Sequence, residues 1–174
     1  EDAGVVVDNL GLVGSSAAAL RRIDDAHWRG ELARRSVDLA VVLLGANEAA
    51  RGAVNPAQTR RHFEAVLASL RASGTTSCLV LAPLDTASVE GDRVVSRPAV
   101  PALVEAAHQA ARAQGCAFWD TYAWMGGRGA ALRWQRAFLM EPDLVHPTAA
   151  GAVRVADALF DALLAARPSP RVSP

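Results

Sequence analysis

Apolar and polar positions along this chain follow two different periods, and the switching between them outlines a fold. Four short runs are apolar on both faces: GVVVDNL (4–10), DLAVVLLG (38–45), SCLVLAPL (77–84) and CAFWD (116–120). Short, Val- and Leu-rich runs of this kind suit strands of a sheet covered on both sides. Between them the period lengthens to that of a helix. Residues 15–35 place Leu20, Ile23, Trp28 and Leu32 at helical spacing. In 56–73, Phe63, Val66, Leu67 and Leu70 share a face, with Pro56 near the start and Gly74 beyond the end. Residues 99–114 repeat the pattern with Val100, Leu103, Val104 and Ala107. A last helix is expected over about 148–166, with Val153, Ala156, Leu159, Phe160 and Leu163 in register and Thr148 as its N-cap.

Strands alternating with helices at this spacing predict right-handed crossovers and a mostly parallel α/β sheet. The stretch DTASVEGDRVVSRP (85–98) is polar, contains Gly and Pro, and reads as a surface loop. Residues 1–166 form one domain in this reading, and the Pro/Ser-rich tail RPSPRVSP (167–174) is expected to be disordered.

Composition narrows the function classes. Hydrophobic residues make up 51% of the 174 positions and aromatic residues only 5%, which favours helices packed on a buried sheet. Formal charge is zero, with 18 basic and 18 acidic residues. The arginines are scattered through helical segments such as LRRID and LARRS, and no basic stripe with interleaved aromatics marks a nucleic-acid partner. No apolar stretch reaches the roughly 20 residues that a membrane-spanning helix needs. Cys78 and Cys116 each lie in an apolar run, as two buried thiols or as one disulfide if their segments are neighbours. Two cysteines make no zinc site.

In open α/β sheets ligands sit beyond the carboxyl ends of the strands, so the residues there carry the candidate chemistry. In MEPDLVHPTAAG (140–151), Asp143 precedes His146 by three positions, and Pro147 stops a helix from running back through the histidine. A tight turn lets the acid reach Nδ1 while Nε2 faces a cleft, as proton transfer by histidine requires. The alternative is an ordinary surface histidine beside an acid. Asn47, in LLGANEA, follows a strand and can aim its side-chain NH₂ across the strand ends at a developing negative charge. The alternative makes it a helix cap and Gly45 a plain turn residue. Gly14, in NLGLVGSS, lies at a strand-to-helix junction where a backbone N–H is free, or is needed for the turn alone; Ser15 and Ser16 read as caps. Trp119, Tyr122, Trp124 and Met125 line a pocket or pack in the core, and Asp120 supports the site or caps a turn.

The order of these pieces, DNLGLVGSS, VVLLGANEA and PDLVHPTAAG, resembles the SGNH/GDSL hydrolases over nearly the whole chain. AFWDTYAWMGGRGAALRW is similar to the matching segment of bacterial peptidoglycan O-acetylesterase-like members. The resemblance implies a three-layer α/β/α, flavodoxin-like fold. It implies the Gly14 N–H and the Asn47 side chain as oxyanion donors, His146 as general base and Asp143 as its orienting acid. It implies a serine esterase of small acyl groups, acetyl above all, on carbohydrate or peptidoglycan, with no cofactor or metal and a cell-envelope or periplasmic location.

One element of that pattern is absent. The family's nucleophile is the serine of a G-D-S block on the first strand, upstream of the glycine block, and no G-D-S occurs here. The chain starts at Glu1 rather than Met and is expected to be the C-terminal portion of a longer protein, lacking that strand. The serine would then come from the missing segment. The rival expectation is a binding or assembly module that keeps the scaffold without the nucleophile. A nucleotide-binding or receiver domain of flavodoxin-like topology ranks last, since there is no Gly-rich phosphate loop and no acidic metal cluster.

Overall fold

The computed structural model describes residues 4–166, apart from 53 and 76. It is an α/β fold around a small parallel sheet of three strands, β1 (Leu39–Leu43), β2 (Ser77–Leu81) and β5 (Ala117–Trp119), in the order β1-β2-β5. Val41 lies opposite Leu79, and Val80 opposite Phe118. Parallel neighbours need crossovers, supplied by α4 (Pro56–Ala72) between β1 and β2 and α5 (Val100–Ala113) between β2 and β5.

Both crossover helices follow the sequence pattern closely. Asn55 caps α4 by accepting from the Gln58 N–H at 3.0 Å, Pro56 occupies its first turn, and Gly74 leaves it with φ +88°. Phe63, Val66, Leu67 and Leu70 of α4 meet Ala107, Ala110 and Ala111 of α5 and Val80 of β2 in the main core. The small alanine face of α5 lets the two helices approach, and Phe63 and Leu67 are fully buried. Each such side chain contributes roughly 1.5–3 kcal/mol.

Cys78 and Cys116 are joined, with Cα atoms 4.9 Å apart, so a disulfide ties the feet of β2 and β5. It closes one of the two options that sequence left open. No helix among the described residues is long and apolar enough to cross a membrane.

Five expectations change. The strand expected over 4–10 does not form: this segment has no regular structure, and Val5, Val6 and Val7 are 85–90% exposed. A strand exists only as part of a ladder, and among the described residues this stretch pairs with no strand. The helix expected over 15–35 is two, α1 (Ala17–Leu20) and α2 (Asp25–Arg34). Asp24 breaks the run by capping a new start, accepting from His27 N–H at 2.9 Å.

The 85–98 stretch is not a surface loop. It contains an antiparallel hairpin of β3 (Ala87–Glu90) and β4 (Arg93–Ser96), and Asp85 and Thr86 before it are buried. Distant donors reach Asp85, which local polarity could not reveal. The 121–137 region, where no element was expected, forms α6 (Thr121–Met125) and α7 (Ala130–Arg136). A short helix, α3 (Ala46–Ala50), was also unforeseen.

The last helix, α8 (Ala149–Ala165), forms with Thr148 as N-cap, as expected. Its apolar face is not covered, however. Gly151 is buried and Val155 touches a second core cluster, whereas Val153, Phe160, Leu163 and Leu164 are exposed. β1 is uncovered as well: Ala40 and Val42 pack on the main core, but Leu39, Val41 and Leu43 are 44–53% exposed. Among the described residues β1 pairs only with β2, so its other edge is free. The tail over 167–174 lies outside the described residues.

Candidate active site

Two pairs of sequence-predicted residues are each brought together. The first is Asp143 with His146. Oδ1 of Asp143 accepts from the backbone N–H groups of Val145 at 2.9 Å and His146 at 3.0 Å, folding the turn back on itself. Oδ2 lies 2.7 Å from Nδ1 of His146. The hydrogen bond from the His146 ring holds the Asp143 carboxyl down at about 2, helped by the His146 and Val145 amides and opposed by partial desolvation. An ionised carboxylate only accepts, so in the neutral imidazole the proton sits on Nδ1 and Nε2 is the base. Nε2 has no protein partner among the described residues, and the ring is 75% exposed.

The surrounding loop is braced at several points. Glu141 N–H donates to His146 O at 2.8 Å, Thr148 N–H to Leu139 O at 3.1 Å, and Ala87 N–H to Leu144 O at 3.0 Å. Leu144 adopts φ +60° with its side chain buried beside Met140, Ala131 and Trp134. A left-handed leucine costs on the order of 1 kcal/mol or more, and burial of that side chain offsets it.

The second pair is Gly14 with Asn47. Gly14 has φ +72° in the turn closed by Ser15 N–H to Leu12 O at 3.0 Å, and its own N–H has no protein acceptor among the described residues. A Cβ there would meet nothing, so the glycine serves the backbone conformation. Asn47 donates from Nδ2 to Ser15 O at 2.6 Å, which fixes the amide beside Gly14 and leaves its second N–H uncommitted. Asn47 is not the cap of α3. That position is held by Gly45, whose φ is +119° and on which a Cβ would lie 2.9 Å from Pro83 Cβ.

Sequence reasoning missed the residues that hold this turn. Glu48 Oε1 accepts from Ala17 N–H at 2.7 Å, and Arg51 Nη1 donates to Ser16 Oγ at 3.4 Å. Glu48 adjoins Asn47 in the ANEA run, which is the one hint in the sequence. Ser16 caps α1, as expected, and Ser15 Oγ is buried without a partner. Asp120 is the N-cap of α6, accepting from Ala123 N–H at 2.9 Å, so the cap reading holds. Met125 is core, Tyr122 is partly buried, and Trp124, partly exposed, lies tilted against Trp119 and edge-on to Trp134.

No hydrogen bond among the described residues joins the two pairs directly. Both flank the buried segment Pro83–Ala87 at the carboxyl end of β2: Gly45 abuts Pro83, and Leu144 O accepts from Ala87. The turns that carry the two pairs thus border the same five-residue segment leaving β2. No cluster of His, Cys, Asp and Glu fit for a metal ion occurs among the described residues.

The family model for GDSL-like lipases and acylhydrolases matches residues 1–154. The chain belongs to this family. Solved structures agree on the fold. A structure of a peptidoglycan O-acetylesterase superposes with TM-score 0.72 at 23% identity, over 78% of this chain and 39% of that one. The chain therefore spans well under half the length of that relative. The acetylxylan esterase Axe2 of Geobacillus stearothermophilus matches with TM-score 0.60 at 18% identity, over 85% of this GDSL-family chain and 67% of its own. The acetyl xylan esterase AlAXEase matches with TM-score 0.66 at 15% identity, over 88% and 78%. No curated protein sequence matches.

Proposed function

We propose that the protein acts as an SGNH-type serine esterase on small acyl esters, acetyl foremost, carried by a carbohydrate or peptidoglycan. The observation that carries this reading is the His146 ring, with Nδ1 bound to Asp143 and Nε2 open as a base. The serine is supplied by a segment outside this chain. The free edge of β1, with Leu39, Val41 and Leu43 exposed beside it, supports a parallel strand pairing there. The exposed face of α8 and the unpaired valines of 4–10 support the same reading, since both need apolar cover.

In this mechanism the serine Oγ attacks the ester carbonyl carbon as its proton passes to Nε2 of His146. The Asp143 carboxylate stabilises the imidazolium. The oxyanion rests on the Gly14 N–H and the second Nδ2 proton of Asn47, one such donor being worth about 2.7–4 kcal/mol. Collapse expels the alcohol, which takes the proton from His146. Water then attacks the acyl-enzyme by the same route and releases the acid and the free serine. The acetylated-glycan substrate class rests on the esterase neighbours. The disulfide supports an oxidising compartment, such as the periplasm or cell envelope.

The test combines the chain with a strand segment ending in G-D-S and measures p-nitrophenyl acetate hydrolysis. Turnover should require the segment and fall by orders of magnitude in His146→Ala. Asn47→Ala should lower kcat more than it raises KM, because its donor acts on the transition state. Turnover indifferent to His146→Ala removes the esterase reading, and absence of turnover with the segment bound favours the nucleophile-free binding module.

A further inference from the structure

The carboxylate of Asp85 is fully buried, yet none of the groups assigned to the chemistry touches it. Oδ2 accepts from Ser96 Oγ at 2.9 Å and from the Ala131 N–H at 3.0 Å, while Oδ1 has no protein donor. Ser96 Oγ in turn accepts from Gly129 N–H at 2.8 Å. Gly129 is the N-cap of α7 and has no side chain, so Asp85 and Ser96 cap this helix from a distant part of the chain. Burying a carboxylate is expensive, and a buried acid with one bare oxygen adds less to stability than apolar packing of the same volume. Such a group earns its place by fixing a geometry.

The geometry it fixes lies two residues away. Asp85 joins the β3–β4 hairpin, through Ser96, to the start of α7, through Ala131. These are the two supports of Leu144. The hairpin holds its carbonyl through the Ala87 N–H, and its side chain is buried in the same apolar cluster as Ala130, Ala131 and Trp134 of α7. Leu144 stands between Asp143 and His146 in a left-handed conformation that it would not keep unsupported.

We propose that Asp85 is a positioning residue for the Asp143–His146 pair, its two accepted hydrogen bonds locking the hairpin and α7 together around Leu144. The inference rests on the proposed function for its catalytic meaning, but its test does not. Asp143 titration, followed by carboxyl NMR, reads the turn directly. Asp85→Ala should raise the Asp143 midpoint from about 2 toward the ordinary 3.8, by about one unit or more. Ser96→Ala, which removes one bond to Asp85 and the one from Gly129, should raise it by less. Asp85→Asn keeps an oxygen that can accept both bonds and should titrate nearly as the parent does.

A merely structural Asp85 would lower overall stability and leave the midpoint in place. An unmoved midpoint in folded Asp85→Ala overturns the proposal, as does an Asp85→Asn midpoint raised as far as that of Asp85→Ala. If Asp85→Ala does not fold, Ser96→Ala decides in the same way. Turnover with a supplied serine then separates the two readings. A shifted midpoint with unchanged turnover supports the positioning role and counts against the esterase, whereas loss of kcat at constant KM supports both.

Discussion

Gly151→Ala sets two effects of known size against each other. Gly151 lies in the first turn of α8, and alanine there gains about 1 kcal/mol of helix propensity. Against this, a Cβ built on Gly151 would sit 1.9 Å from the Leu139 carbonyl oxygen, 2.9 Å from its carbon and 3.2 Å from Pro147 Cβ. The Leu139 carbonyl cannot swing aside cheaply, because it accepts the Thr148 N–H at 3.1 Å. Thr148 itself is stitched to Phe138 O at 2.9 Å and to the Gly151 N–H at 3.1 Å. Restoring a normal contact means opening this turn by more than about 1 Å, which adds overpacking of about 1–3 kcal/mol to hydrogen bonds worth about 1 kcal/mol each.

The clash wins, for a net loss of about 2 kcal/mol, or roughly 4–8 °C in Tm for a chain of this length. Thermal and urea unfolding followed by circular dichroism measure it, with Ala152→Gly on the exposed side of the same turn as the propensity control. The control should lose about 1 kcal/mol. A Gly151→Ala protein as stable as the parent, or more so, would refute the claim that α8 is seated by this close approach.

Two further outcomes follow from particular contacts. The Cys78–Cys116 disulfide spans 38 residues, for which the chain-entropy account gives about 4 kcal/mol. Reduction, or replacement of both cysteines by alanine, should therefore lower the urea midpoint markedly, and an unmoved midpoint with thiols confirmed free contradicts it. Asp143, held at about 2 against an ordinary 3.8, adds stability that is present above pH about 4 and lost as pH falls through about 2. The carboxylate is half exposed, so the gain is small. The advantage of the parent over Asp143→Asn should close across that window, and an advantage that widens as pH falls contradicts the assignment.

Local features were legible in the chain before any fold was known. Helix α4 was legible from its cap, its face and its closing glycine, because a helix bonds within four residues and its pattern repeats within the segment. The Asp143–His146 turn was legible for the same reason, since an acid three positions before a histidine lies within reach of its amide and its ring. The joined cysteines were only an option in the sequence, and neither the strand order nor the Asn47 contact to Ser15 could be read there.

What tertiary structure alone decided lies in contacts across long separations. Asp85 looked like a polar loop residue until Ala131, 46 positions on, supplied the donor that buries it. Glu48 carried no reading of its own in the sequence, and its role comes from closing on Ala17, 31 positions back. The valines of 4–10 and the apolar face of α8 carry the patterns of a strand and an amphipathic helix, yet they remain uncovered. Periodicity states which face seeks burial. Whether a neighbour exists to bury it is a property of the assembled chain, because hydrophobic cover and ladder hydrogen bonds are made between segments and no segment encodes its partner.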